Sequence, residues 1–210
     1  MAGAELEFAK AHGACGVVMR GFEGERHLHD PYFHPLYDIA QSLDLPICVH
    51  AGNANRPVAT FLGDGNDGGS LLVSKMPVTA AFHDLVMHEI PTKFPRLRFG
   101  FVEASAQWVP YILHDLVRRI AHRQGRHLQG RMSGDILREN RMYVACQTDD
   151  DLPYVLKYAG EDNLVMGTDY GHADTTAELR ALSTLREKSP ADPRVIEKIL
   201  DDNARALYGL

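Results

Sequence analysis

Residues 45–57 read LPICVHAGNANRP, and this stretch decides how the rest of the chain is interpreted. Its first half is a short apolar run of the kind that forms a buried strand. The run ends on His50, which is followed at once by Ala51, Gly52 and a polar loop. An imidazole at the last position of a buried strand contributes little to packing and is well placed for chemistry. We therefore predict a strand that ends at a functional site.

The same pattern recurs along the chain, because four further apolar runs alternate with helical patterns. The runs are ACGVVMRG (14–21), PRLRFGFVEAS (95–105), RMYVACQ (141–147) and NLVMGTDYGH (163–172). Apolar residues at helical spacing predict helices at 5–11, 31–43, 78–90, 109–122, 152–159 and, with breaks at prolines, 175–208. A loop rich in Gly, Asn and Asp is predicted at 53–70. Strands that alternate with helices indicate one α/β domain over residues 1–210, with five parallel strands.

Composition excludes several classes of protein. The chain has 210 residues and a net charge of -6, with a pI of about 6.0, whereas a general nucleic-acid surface needs a basic excess. Three cysteines in apolar stretches do not make a disulfide framework, so a reducing cytoplasm is the expected location. No apolar run approaches the roughly 20 residues that span a bilayer, and we expect no membrane partner.

Three of the five predicted strands end on a residue that can bind a metal or move a proton: His50, Glu103 and Asp169. The carboxyl ends of parallel strands lie on one face, where α/β enzymes build their sites. One histidine with two carboxylates suits divalent metals of intermediate hardness. Each residue also has a simpler explanation: His50 can be a hydrogen-bonded strand end, Glu103 a helix cap, and Asp169 part of a turn. The coincidence of three such residues favours a site.

Four stretches resemble the amidohydrolase superfamily, in its branch related to aminocarboxymuconate-semialdehyde decarboxylase. They are DPYFHPLYDIAQSLDLPICVHAG, FPRLRFGFVEASAQWVP, NLVMGTDYGHAD and the closing DDNARALYGL. The resemblance implies a (β/α)8 barrel with a divalent metal, usually zinc, at the carboxyl ends of its strands. It implies that His50 and Asp169 are metal ligands and that Asp169 also handles a proton. It implies a catalytic role for Glu103, at a position where the family often has histidine.

The resemblance also implies an incomplete barrel. It places residues 14–21 at the fourth strand, so strands 4–8 are expected here and strands 1–3 are missing. The first strand of the family carries His-x-His or a Glu-x-His variant, and the only His-x-His motif here is His27-Leu28-His29, in a polar loop. We interpret this motif as an exposed loop or as substrate-facing residues rather than as the missing ligand pair. Unpaired edge strands tend to associate, so a homo-oligomer is expected.

The resemblance admits two reactions on a small-molecule substrate. The first is hydrolysis of a C–O or C–N bond in a small carboxylated or cyclic molecule, which we favour because Glu103 replaces the histidine that decarboxylase relatives commonly use. The alternative is non-oxidative decarboxylation of a small aromatic or muconate-like acid. A catalytically inactive, truncated scaffold is the non-enzymatic alternative. Arg20, Trp108 and His172 are the residues we expect to contact the substrate.

Overall fold

Parallel strands and intervening helices make up the chain, as the α/β prediction requires. The computed structural model describes residues 2–51, 60, 71–123, 134–172 and 177–210. The loop predicted at 53–70 lies outside the described residues, apart from position 60.

The described helices and strands have the following bounds. The helices are α1 (Ala2–Ala11), α2 (His34–Ser42), α3 (Leu71–Met87), α4 (Ile90–Lys93), α5 (Val109–Arg123), α6 (Gly134–Glu139), α7 (Leu152–Ala159), α8 (Ala181–Lys188), α9 (Pro193–Glu197) and α10 (Asn203–Tyr208). The strands are β1 (Val17–Arg20), β2 (Phe22–Glu23), β3 (Arg26–His27), β4 (Ile47–His50), β5 (Phe99–Val102), β6 (Met142–Cys146) and β7 (Leu164–Met166). A 3-10 turn at Pro31–Phe33 precedes α2, and a π-helical turn at Lys198–Asp202 precedes α10.

The chain divides into two compact units. The first unit contains residues up to Ala104 together with 208–210, and the second contains Ser105–Leu207. In the first unit β4 pairs in parallel with β1 on one side and with β5 on the other. In the second unit β6 pairs in parallel with β7. The predicted parallel pairing is therefore confirmed within each unit, while the prediction of a single domain over 1–210 stays a prediction.

Aromatic and branched side chains fill the core of the first unit. Ile47 and Val49 of β4 are fully buried, as expected for a strand covered on both faces. Phe101 of β5 meets Phe82 of α3 edge to face, with ring centroids 5.1 Å apart. Tyr37 of α2 is also fully buried, and burial raises the pKa of its hydroxyl. Such packing fixes the strands whose ends carry the polar residues.

Alternating burial organises the second unit. Met142, Val144 and Cys146 are the buried positions of β6, and the residues between them are half-buried. This alternation places one face of β6 against the core. Buried Asn203 donates its side-chain amide to the carbonyl oxygens of Glu161 (2.8 Å) and Leu164 (2.7 Å), which satisfies backbone groups around β7.

Two local structures differ from the sequence prediction. Residues read as a polar loop after β1 form the antiparallel hairpin β2–β3, in which Phe22 pairs with His27. Helix α3 begins at Leu71 rather than at residue 78, because Pro77 is accommodated inside it. Proline has a φ angle close to the helical value, so a helix can continue through it at the cost of a backbone hydrogen bond.

Within the described residues, the helices are too short or too polar to cross a membrane.

Candidate active site

His50 stands at the carboxyl end of β4, as predicted. The three preceding residues of the strand are buried, whereas the His50 side chain is 38% exposed. Its Nδ1 contacts the carbonyl oxygen of Ala51, so that the Nδ1–H group donates a hydrogen bond to the backbone. Its Nε2 lies 2.6 Å from Oε2 of Glu103. A backbone partner on one ring nitrogen fixes the ring and leaves the other nitrogen to act, which is the usual arrangement of metal-binding histidines.

Glu103 follows β5 directly and has a left-handed backbone. Its φ angle is 60°, a region that a residue other than glycine rarely adopts. This turn ends the strand after Val102 and leaves the Glu103 carboxyl group only 18% exposed, facing His50. Non-glycine residues in this conformation cost about 1–3 kcal/mol and cluster at functional sites. The left-handed backbone thus directs the Glu103 carboxylate toward His50, and Asp44, Glu89, Ser105 and Arg141 share this conformation elsewhere among the described residues.

The contact between His50 and Glu103 is stabilised when a positive charge lies between the two side chains. With a single ring proton on Nδ1, the Nε2 lone pair faces a carboxylate oxygen, and two electron-rich atoms repel each other at 2.6 Å. A proton or a metal ion shared by the two atoms removes this repulsion. Imidazole nitrogen and carboxylate oxygen are both ligands of zinc and of manganese. The pair in the first unit therefore supplies two ligand types of the predicted divalent metal.

Asp169 occupies the corresponding position in the second unit. It lies three residues beyond the end of β7, and it too has a left-handed backbone, with φ of 49°. Its carboxyl group is 19% exposed and contacts Nδ1 of His172 at 2.8 Å. The ring of His172, which is about half exposed, thus orients the carboxylate. Of the three residues predicted to end strands, His50 is the last residue of β4, whereas Glu103 and Asp169 lie just beyond the carboxyl ends of β5 and β7.

The other predicted substrate residues lie at element ends. Arg20 is the last residue of β1, where it is paired in register with His50, and its side chain is exposed. Trp108 immediately precedes α5 and is half-buried. Substrate contacts by Arg20, Trp108 and His172 stay predictions.

Asp150 is a buried carboxylate that the sequence analysis missed. It accepts hydrogen bonds from the backbone N–H groups of Ala106 (2.9 Å) and Gln147 (2.8 Å), and from the hydroxyl of Ser105. These bonds join the segment after β5 to the turn after β6, within the second unit. The signal in the sequence was weak, because Asp150 is the middle member of three consecutive aspartates, 149–151.

Cys48 and Cys146 are buried and structural. Burial raises the pKa of the Cys48 thiol to about 11 and that of the Cys146 thiol to about 12. Since the thiolate is the reactive form, neither side chain is a nucleophile at neutral pH.

Comparisons with known proteins identify the family and the fold. The family model described as amidohydrolase matches residues 2–210, and no curated protein matches the chain. The amidohydrolase map2389c from Mycobacterium avium subsp. paratuberculosis K-10 is 23% identical, with a TM-score of 0.77, over 99% of this chain and 54% of its own.

Two decarboxylases are also similar in structure. The 5-carboxyvanillate decarboxylase from Novosphingobium aromaticivorans, complexed with manganese, is 17% identical with a TM-score of 0.76, over 100% of this chain and 60% of its own. The 2,6-dihydroxybenzoate decarboxylase from Rhizobium is 20% identical with a TM-score of 0.70, over 99% of this chain and 66% of its own.

These likenesses confirm the predicted α/β fold of the barrel type. The chain spans between 54% and 66% of the length of the three structures. The family model covers nearly the whole chain and agrees with the resemblance carried by the strand-end motifs. The chain therefore belongs to the amidohydrolase family.

Proposed function

We propose that the chain carries catalytic residues of a metal-dependent enzyme that acts on a small carboxylated molecule. The observation that carries the proposal is the 2.6 Å contact between Nε2 of His50 and the carboxylate of Glu103 at the ends of adjacent parallel strands. His50 and Asp169 are the proposed metal ligands, and Glu103 and Asp169 the proposed catalytic carboxylates. A small-molecule substrate, self-association and a cytoplasmic location belong to the same proposal.

Non-oxidative decarboxylation of a hydroxylated aromatic acid is the reaction we propose first. Support comes from the similar structures that are decarboxylases of such acids, of which one holds manganese. Zinc, expected from the family resemblance, and manganese are thus both proposed as the ion. When bound, the divalent ion supplies positive charge that holds substrate oxygens and stabilises negative charge developing on them.

The side chains of this chain supply the proton chemistry. Decarboxylation breaks the bond between the ring carbon and the carboxylate, leaves the electron pair on that carbon and releases CO2. A protonated carboxyl group, Asp169 or Glu103, then donates its proton to the carbon as a general acid. His172, 2.8 Å from Asp169, orients that carboxyl group. The exposed guanidinium of Arg20, in register with His50, attracts the substrate carboxylate.

Hydrolysis is the second candidate, and Glu103 itself favours it. A carboxylate in place of the histidine that decarboxylase relatives commonly use suits a general base. In that role it takes a proton from the attacking water and returns it to the leaving group, which is the alcohol or amine side of an ester, lactone or amide.

A direct assay separates the two reactions. The chain is supplied with Mn²⁺ or Zn²⁺ and incubated with 2,6-dihydroxybenzoate and 5-carboxyvanillate, and CO2 release is measured; a parallel series contains aromatic esters, lactones and amides. CO2 release that is lost in Asp169→Asn and retained in Glu187→Gln, a change at an exposed carboxylate of α8, supports decarboxylation. Turnover in the second series alone supports hydrolysis. No turnover in either series contradicts the proposal and favours an inactive scaffold.

A further inference from the structure

The hairpin β2–β3 places two histidines on one side of the chain. His27 ends β3, and His29 follows it by two residues, with Leu28 between them fully buried. Leu28 and His29 form the turn after β3, in which the backbone N–H of Asp30 donates to the carbonyl oxygen of His27 (3.0 Å). The carbonyl oxygen of Leu28 also accepts a hydrogen bond of 2.7 Å from the buried Tyr37 hydroxyl. Burial of Leu28 therefore anchors this turn, in which the rings of His27 and His29 lie with their centroids 5.3 Å apart.

Glycine allows this hairpin to lie against helix α3. A Cβ atom at Gly21 would come within 2.2 Å of the carbonyl oxygen of Pro77 in α3. Such a distance excludes any side chain at position 21, so the backbone before β2 packs directly on the helix backbone. The hairpin histidines consequently face the next turns of α3.

Asp84 of α3 meets both histidines through the same oxygen. Its Oδ2 lies 2.6 Å from Nδ1 of His27 and 3.7 Å from Nδ1 of His29. One ligand atom from each of the three residues can be chosen so that all lie within 4.8 Å of one another. The Nδ1 atom of His29 is buried and has no hydrogen-bond partner among the residues that the structure describes. The His27–Asp84 contact alone leaves this nitrogen unexplained, because 3.7 Å is too long for a hydrogen bond.

From this geometry we propose that His27, His29 and Asp84 bind a divalent transition-metal ion of the Zn²⁺ class. Two imidazoles and a carboxylate are a common zinc ligand set, with a water molecule in the fourth position. Tetrahedral bonds of about 2.0–2.1 Å place ligand atoms about 3.3 Å apart. The observed 2.6 and 3.7 Å lie on either side of that spacing, so small side-chain rotations suffice. We name these three residues the hairpin site.

Neighbouring histidines hold the site in shape. The ring of His88 stacks on that of His29, with centroids 3.6 Å apart and planes 7° from parallel. The stacked pair restricts rotation of His29 and keeps its Nδ1 directed toward Asp84. Nδ1 of His83 lies 3.6 Å from the other carboxylate oxygen of Asp84. The ion would fasten the hairpin after β1 to α3, within the first unit.

Zinc titration tests the hairpin site. Isothermal titration calorimetry with Zn²⁺ alone compares the chain with His27→Asn/His29→Asn and with a matched control, His12→Asn/His114→Asn, which removes two exposed histidines elsewhere. We expect the hairpin variant to bind one Zn²⁺ fewer per chain and the control to bind as the parent does. Far-UV circular dichroism in EDTA verifies that the three proteins are equally folded.

A single isosteric change gives a second, independent reading. Asp84→Asn keeps the shape of the side chain and removes its charge, so we expect at least about tenfold weaker Zn²⁺ binding at the hairpin site, the lower limit for loss of a partner in a metal site. Co²⁺ in place of Zn²⁺ reports the same site through its visible absorption. An unchanged number of ions and unchanged affinity in both the hairpin variant and Asp84→Asn would overturn the proposal. His50→Ala tests the proposed function, and it should leave Zn²⁺ binding at the hairpin site unchanged.

Discussion

Removal of the Asp150 carboxylate should lower the free energy of unfolding of the second unit more than removal of a neighbouring charge does. In Asp150→Ala, the N–H groups of Ala106 and Gln147 lose their acceptor, as does the Ser105 hydroxyl, which can rotate toward another acceptor. A buried polar group left without a partner costs about 1–3 kcal/mol. The buried N–H of Ala106 and the part-buried N–H of Gln147 together therefore lower the free energy of unfolding by about 2–4 kcal/mol. Asp150→Asn retains one acceptor oxygen, so the loss should be about half as large.

Urea denaturation measures this effect in the relevant part of the chain. Trp108, the single tryptophan, belongs to the second unit, so its fluorescence follows that unit. With a urea dependence of about 2 kcal/mol per M, the midpoint should fall by about 1–2 M in Asp150→Ala. The control is Asp149→Ala, the same change at the adjacent, exposed residue. Midpoints that coincide for Asp150→Ala and Asp149→Ala would refute the argument that the buried carboxylate satisfies backbone N–H groups.

Two further predictions concern buried polar groups. Asn203→Asp replaces an amide that donates to two carbonyl oxygens by a carboxylate that repels them. This change should lower the free energy of unfolding by about 2–4 kcal/mol, measured by the same urea titration. An unchanged midpoint would contradict this prediction. At pH 8, iodoacetamide should label only the exposed Cys15 of the native protein and all three cysteines in urea, because burial raises the pKa of Cys48 to about 11 and of Cys146 to about 12. Three thiols that react at one rate without urea, counted by mass spectrometry, would show that these side chains are not buried.

The sequence predicted those features that local pattern determines. Apolar runs closed by a polar residue identified the parallel strands, and His50 ends β4 as the pattern LPICVH indicates. Helix α7 has the bounds predicted from its spacing, residues 152–159. These elements depend on hydrophobic periodicity, which is visible in a single chain.

Contacts between segments that lie far apart in the chain could not be predicted from the sequence. Each strand of the β2–β3 hairpin has only two residues, too few for a pattern, and the close approach at Gly21 depends on α3, more than fifty residues later. His27 and His29 were therefore interpreted as loop residues, although they meet Asp84. The role of Asp150 was hidden for the same reason, since three adjacent aspartates differ only in what the fold brings to them.

Backbone conformation at the site was also unpredictable. Glu103 and Asp169 were expected as the last residues of strands, but both lie beyond the strand ends with left-handed φ angles. A glycine in the sequence would indicate a left-handed backbone, whereas Glu and Asp do not indicate one. The identity of the candidate residues came from the strand pattern, and their orientation came only from the structure.

Metal content decides the central claim that His50 and Asp169 hold one functional ion. The measurement is elemental analysis of the His27→Asn/His29→Asn protein, from which the hairpin site has been removed, after loading with Mn²⁺ or Zn²⁺ and desalting. We predict about one bound ion per chain. The ion should be lost when His50→Ala or Asp169→Ala is added, because loss of a ligand weakens a site built from few protein ligands. It should be retained when the control His114→Ala or Asp149→Ala is added instead. Metal content that is unchanged in both His50→Ala and Asp169→Ala would contradict the proposed metal centre.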